Sequence, residues 1–312
     1  MAEWLYEAGV GEARAALVAD GAIVKARIER PGGVRVGAVL KGRLVERSAG
    51  LSRVATAVGE VLVDRLAPGV SEGGGLRVEI IREGIAETGR FKLAKGVATD
   101  AAPRDGDDLL ARITASGLPV RHLAAHQPDA LEAAGWSEAI EEARTGHIAF
   151  PGGALAMTPT PAMTLFDVDG TGPLDKLATA AATAIGRAIM RHGIGGSIGI
   201  DFPTLGSKEG RQAAAAALDA ALADSGPFER TAVNGFGFLQ VVRRRARASL
   251  PDLVRADPVA TEALALLRSI ERTPPPVPAY QPAPPRIAAW LVRYPDLIAE
   301  LSRRVGVPIS FA

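Results

Sequence analysis

Apolar and polar positions alternate along the first third of the chain with a period near two. The runs "ARAALVA" and "AIVKARIE" flank Asp20-Gly21, a two-residue turn signal, and predict a hairpin over residues 12–30. Four β-rich runs follow between Gly-rich turns: "VRVGAVLKGRLVER", "RVATAVGEVLVDRL", "GLRVEIIRE" and "TGRFKLAKGV". Short strands at this spacing predict a small β-barrel or sandwich. From Ala98 to Asp108 the composition shifts to Ala, Pro, Asp and Gly, which marks a boundary.

Beyond it the period changes. Residues 107–116 and 128–144 read as helical, and "HIAFPGGALAMT" reads as a hairpin about Pro151-Gly152-Gly153. Then strand 162–168, helix 173–192, strand 197–202, helix 207–224 and strand 235–242 alternate, with a further helix at 258–272. Apolar strands separated by helices predict a largely parallel, covered sheet. "TPPPVPAYQPAPP" predicts a stiff extended connector, followed by a helical tail over 286–304 and a short strand in "VGVPISF". The fold class expected is mixed α/β. A hairpin at 1–33, packed on the core, precedes a barrel at 34–98, an α/β core at 99–272, and a connector with a helical tail at 273–312.

Composition narrows this picture little but excludes much. Aromatic residues make up 4% of the chain, so the core must be built from Ala, Val, Leu and Ile. The formal net charge of +1 neither requires nor excludes a nucleic-acid partner, because local patches outweigh the total. There is no cysteine, which removes disulfides, thiolate zinc sites and cysteine nucleophiles together. The opening "MAEWLYEAGVGEARAAL" has acids where a secretory leader would carry basic residues. No apolar run approaches the roughly 18 residues of a membrane span. A cytoplasmic protein without membrane contact is expected.

The candidate chemistry starts at "LFDVDGTG", residues 165–172. Asp167 and Asp169 stand two apart at a strand's carboxyl end, so both point to one face. Asp201 ends the next strand, in "GGSIGIDF". If these strands are parallel neighbours joined by helix 173–192, the three carboxylates converge where such sheets bind ligands. Three acids so close need a cation. An oxygen-only donor set suits Mg²⁺, with Mn²⁺ as the alternative, and supports metal-assisted attack of water on a phosphodiester. Plainer readings stand beside this one. Asp169-Gly170-Thr171-Gly172 is also an ordinary turn, and Asp201 also serves as a helix cap.

"LFDVDGTG" looks like the nucleophile motif of the haloacid dehalogenase phosphatases. The other parts of that motif set are missing. No Gly-Asp dipeptide follows Asp169, the only later lysines are Lys176 and Lys208, and more than half the chain precedes the motif. The closer resemblance is to the ribonuclease E/G family. It runs from "MTLFDVDGTG" through "RHGIGGSIGIDFPTL" to "VNGFGFLQVVRRRARASLPDL", residues 163–253. The family has an Asp-x-Asn strand end, a Gly-Gly-x-x-x-x-Asp-Phe strand and a Phe-Gly-x-x-x-x-x-Arg segment. "WSEAIEEARTGHIAFPGGALAM" resembles the family's approach to the catalytic strand, and "GEARAALVADGAIVKARIERPG" its opening hairpin. The runs at 34–98 resemble an S1-type RNA-binding barrel, an OB-like fold.

The resemblance implies an endoribonuclease that hydrolyses single-stranded RNA and leaves a 5′-phosphate, in RNA processing or decay. Asp167 and Asp201 would hold Mg²⁺, and Asp169 would ligate it or orient water. Departures from the family set a non-catalytic RNA-binding relative against this. Asp169 replaces an Asn and Gly235 an Arg. "KLATAAATAIGRA" has lost the family's Asn and Glu side chains, and the segment 99–135 is short. The family's 5′-end-sensing pocket has no counterpart. The two-Cys zinc link should fall in "SLPDLVRADPVATE", so zinc-linked assembly is excluded and the oligomeric state stays open.

Cations supply the remaining candidates. Arg243, Arg244, Arg245 and Arg247 could line an RNA backbone channel, or could merely charge an edge strand. Lys41, Arg43, Arg90, Lys92 and Lys95 form a second basic face on the barrel, or ordinary solvated charge. His122, His126, His147 and His192 share no metal-type spacing, and His192 is expected to interact with a helix dipole. Trp4, Trp136 and Trp290 are expected as packing anchors.

Overall fold

A computed structural model describes every residue except Ala67, Pro68, Thr88 and Ala312, and the side chain of Arg90 also lies outside the described residues. The chain divides into two compact units, one of residues 33–107 and 137–252, the other of residues 1–32, 108–136 and 253–312.

In the first unit, strands Val39–Glu46, Leu51–Thr56, Gly59–Asp64, Gly75–Arg82 and Ala94–Ala98 close into a five-stranded barrel. Every pairing is antiparallel except that of Ala94–Ala98 with Gly59–Asp64. Alternate residues turn inward and make a core of Leu44, Val54, Val61, Val63, Val78 and Ile80. Closure needs Gly96. A Cβ there would lie 2.2 Å from Val78 Cγ1 and 2.8 Å from the Glu79 carbonyl oxygen. Between the last two barrel strands a small hairpin, Ile85–Glu87 with Arg90–Lys92, is inserted.

The same unit holds a six-stranded sheet. Its order is His147–Phe150, Gly153–Pro159, Thr164–Gly170, Gly196–Asp201, Phe238–Arg243 and Phe228–Arg230. The expected largely parallel sheet is corrected here. Only Thr164–Gly170 and Gly196–Asp201 run parallel, and the other four pairings are antiparallel. The helix between Gly196–Asp201 and Phe228–Arg230 is a crossover to a strand of the same direction. The chain then turns back, and Phe238–Arg243 fills the gap between them antiparallel. Two hairpins complete the other edge. A helix between two strands therefore does not make them neighbours.

Helices Leu174–His192 and Lys208–Ala221 bury one face of this sheet. Phe166, Val168, Ile198, Ile200, Leu239 and Val241 pack with Leu177, Ile185, Ile189 and Leu218 in one core. With few aromatics the helices must approach closely. At Gly186 a Cβ would fall 2.4 Å from the Ala221 Cβ. Ser207 caps the second helix, its Oγ accepting from Gly210 N–H at 2.9 Å, and left-handed Gly193 ends the first.

The second unit is a sheet with helices. Strand order is Val120–His122, Glu3–Ala8, Ala13–Ala19 and Ala22–Glu29, with the predicted turn at Asp20-Gly21, both left-handed. The sequence pattern does not predict Glu3–Ala8 as a strand. Its outer partner, Val120–His122, lies parallel to it and far along the sequence. Helices Pro258–Glu271, Pro285–Val292 and Pro295–Val305 share a core of Leu264, Leu267, Ile270, Ile287, Leu291, Leu301 and Ile309. The tail predicted as one helix breaks before Pro295, which has no N–H to continue the ladder. Tyr280–Gln281 pairs with Ser310–Phe311.

This unit buries a charge cluster. Glu7 and Arg14 face each other across two strands and form an ion pair, with Arg14 1% exposed and stacked 5.2 Å over the Trp136 ring. Arg272 also binds Glu7, through Nε at 2.9 Å. Glu12 binds Arg268 at 2.9 Å and Arg30 at 3.2 Å. Asp129 receives Arg14 Nη2 at 2.5 Å and the N–H groups of Leu131 and Glu132. Burial pushes its carboxyl up, but Arg14, the Glu132 N–H and Arg272 outweigh this and hold it below the usual carboxylate range.

Candidate active site

Asp167 and Asp201 are direct register partners in the single parallel pair of the six-stranded sheet. Neighbouring strands run roughly 4.8 Å apart, so the two backbones meet at that spacing. Phe166, Val168 and Ile200 beside them are buried under the helices, so alternation sends both carboxylates to the opposite face, where they are exposed. The row reads Ala156, Asp167, Asp201, Phe238 across four strands. Asp169 lies two residues further on the same face, exposed and paired in register with Ala154.

The chain continues from both carboxylates into loops that lead to the amino ends of the two helices, the usual place for a ligand in such a sheet. Among the described residues, none gives Asp167, Asp169 or Asp201 a hydrogen bond or ion pair, and no group of three or more His, Asp or Glu side chains is arranged to hold a metal ion. The structure thus pairs Asp167 with Asp201 and leaves Asp169 one step along the strand. Two exposed carboxylates with open surroundings fit Mg²⁺, which keeps several waters and commonly takes only one or two carboxylates.

The turn before the next strand is fixed to this end of the sheet. Phe202 N–H donates to the Gly237 carbonyl at 3.1 Å. Asn234 Oδ1 accepts from the N–H groups of Phe236 and Phe238 at 2.9 and 3.0 Å. Gly237 has φ 93°, and a Cβ there would lie 2.3 Å from the Phe202 carbonyl oxygen, so no other residue fits. The sequence reading passes over Asn234. Asn-Gly ahead of Phe-Gly is the available signal for a side-chain-stabilised turn.

The predicted basic residues separate by what they touch. Arg243 donates to the carbonyls of Ile194 and Ser225 at 2.8 and 2.9 Å, and burial pushes its guanidinium pKa down. Arg245 binds Glu87 at 2.8 Å and Asp252 at 3.0 Å. Burial lowers its pKa, but those two carboxylates raise it above the ordinary value. Arg247 pairs with Glu83 at 3.0 Å, and Glu83 N–H donates to the Ala246 carbonyl at 2.9 Å. Arg245 and Arg247 thereby tie the inserted hairpin and the end of the fourth barrel strand to the segment that leaves the sheet. Lys92 pairs with Glu87 at 2.6 Å. Arg244 is exposed. On the barrel Lys41 and Arg43 are exposed, Arg43 donating to the Gly73 carbonyl at 2.7 Å, and Lys41 stands in register with Arg77. Lys95 is half-buried.

His192 is buried, with Nε2 3.0 Å from Glu142 Oε2, and Arg191 binds the same carboxylate at 2.9 Å. His192 is the last residue of its helix, as expected, and there it also has a specific acid partner. Trp4 and Trp136 are buried anchors, and the Trp290 ring lies 4.3 Å from that of Tyr294.

Residues 107–246 match the Ribonuclease E/G family, and the match contains both carboxylates and the Asn234 turn. Among curated proteins none matches the chain. The domain is of the ribonuclease, hydrolase type, and RNA is the substrate class that follows from it. No helix among the described residues is long and apolar enough to cross a membrane.

Proposed function

We propose that the chain is a Mg²⁺-dependent endoribonuclease that hydrolyses phosphodiester bonds of single-stranded RNA and leaves a 5′-phosphate. The observation that carries this reading is the register pairing of Asp167 with Asp201, exposed on the face away from the helices and without partners among the described residues. Two like charges held side by side in that way make chemical sense when a cation joins them. Asp167 and Asp201 would hold the ion, and Asp169 would bind its waters or orient the attacking one. Bound there, Mg²⁺ supplies Lewis acidity toward both the phosphate and the attacking water.

The rest is done by the chain. The helices behind the sheet hold both strand ends rigid, which fixes the spacing of the carboxylates. Arg244, Lys41 and Arg43 contact the phosphate backbone. What supports an OB-type, S1-like reading of the barrel is its strand pairing, the first strand with the second and fourth and the third with the fifth in parallel. Its second and third strands, the usual oligonucleotide face of such a barrel, carry no aromatic residue. On that face Arg53 is bound by Glu60 and Glu46. This moves RNA contact toward the Lys41 strand and the sheet.

A short unstructured RNA incubated with the protein and Mg²⁺ should yield fragments bearing 5′-phosphate, and Asp201→Asn should remove the activity. Cleavage undiminished in that variant would sink the assignment. Binding without cleavage at any Mg²⁺ or Mn²⁺ concentration would make the chain the non-catalytic RNA-binding relative.

A further inference from the structure

We propose that Phe236 is a stacking platform for a base of the RNA next to the scissile phosphate, an inference that rests on the ribonuclease reading of the Asp167–Asp201 pair. Phe236 is 84% exposed, and apart from Met1 no large apolar side chain among the described residues is more so. Its position is set by the turn. Asn234 Oδ1 holds its N–H, and Gly237 beside it is bonded to Phe202, the residue that follows Asp201. Phe238, two residues on, is the register partner of Asp201 itself.

An aromatic ring left this exposed contributes nothing to the core. Phe91, the other strongly exposed phenylalanine, lies against Gly84, whose Cβ would meet its ring at 2.6 Å. A Cβ built on the neighbouring Gly235 would meet nothing within 4 Å, chain neighbours aside, so the turn is open on that side and leaves room for a planar ligand. A fixed turn, attached to the strand end that carries Asp201 and bearing a bare aromatic ring, suits a nucleobase, since every base offers a π-face whatever its identity. The barrel face lacks aromatics, so Phe236 supplies the stacking that the barrel does not.

The test uses the full chain with Asp201→Asn as background, so that binding is read without cleavage. Phe236→Ala in that background should weaken binding of a short single-stranded RNA by roughly 5- to 140-fold, the loss of one stacked base. The penalty should vanish on an RNA made abasic at the contacted position. Phe236→Trp should restore affinity, and the emission of the introduced indole should be quenched as RNA is added. Unchanged affinity in Phe236→Ala, or emission from the Phe236→Trp variant that is indifferent to RNA, overturns the proposal. Failure of the nuclease reading looks different: no cleavage by the unmodified protein, with quenching intact. In cleavage assays with Asp201 present, Phe236→Ala should raise KM and leave kcat within about threefold, as expected for uniform binding.

Discussion

Two groups of charges in this molecule are built on opposite terms. Glu7, Glu12, Arg14 and Asp129 lie inside one unit, and each carboxylate meets guanidinium groups. Asp167 and Asp201 lie exposed on the other unit's sheet, side by side and without partners among the described residues. The buried group is self-sufficient. Desolvation there is offset by ion pairs, and nothing from outside is needed. The exposed pair is incomplete, and water alone keeps two like charges tolerable at that spacing. A charge satisfied within the fold holds the fold; one left unsatisfied at a strand end is available for chemistry.

The contrast breaks if the two groups respond alike to substitution. Arg14→Ala should be the more damaging to stability. It leaves Glu7 and Asp129 short of a partner, and removing one member of a buried pair costs on the order of 3–5 kcal/mol. Urea denaturation should show that loss, or no folded protein. Asp201→Asn should stay within about 0.5 kcal/mol of the parent in the same experiment, as exposed substitutions do, although it removes cleavage.

A second pair sharpens the point within one arginine run. Arg243→Ala removes charged hydrogen bonds to two carbonyls and should lower stability by about 1.5–3 kcal/mol, with the salt dependence of RNA binding unchanged. Arg244→Ala should do the reverse. Stability should hold, while the slope of log affinity against log salt falls by about one. Equal slopes in the two variants would remove Arg244 from the RNA path.

The smallest effect is in pH. The folded pKa of Asp129 is depressed, so its stabilisation is present above the ordinary aspartate value and is lost as pH falls through the depressed one. Glu142 acts likewise. Burial raises its pKa, but the bond to His192 and the charge and bond of Arg191 lower it further. Stability measured against pH should therefore decline on the acid side of the normal carboxylate range, and Asp129→Asn should flatten part of that decline.

Much of this is readable in the sequence, where interactions are local. The Asp20-Gly21 turn, the barrel runs and the Leu174–His192 helix follow from period and turn chemistry within a few residues. So do the two aspartates, because strand alternation fixes their face. Non-local pairing is the limit. Glu3–Ala8 finds its parallel partner more than a hundred residues away, and Phe238–Arg243 enters the sheet between two strands already placed. The arginine run shows the same limit for side chains. Alternation puts Arg243 and Arg245 on one face, but only the fold reveals that Ile194, Ser225, Glu87 and Asp252 wait there.

The unit with the buried charges is assembled from three separated stretches of chain. During synthesis its first stretch, residues 1–32, emerges early and must wait. Its sheet still lacks Val120–His122, and Arg268 and Arg272 arrive only with the third stretch. In the meantime the barrel and the six-stranded sheet can close. Everything the candidate chemistry requires thus precedes, along the chain, the last stretch needed to complete the charged interior around Glu7, Glu12 and Arg14.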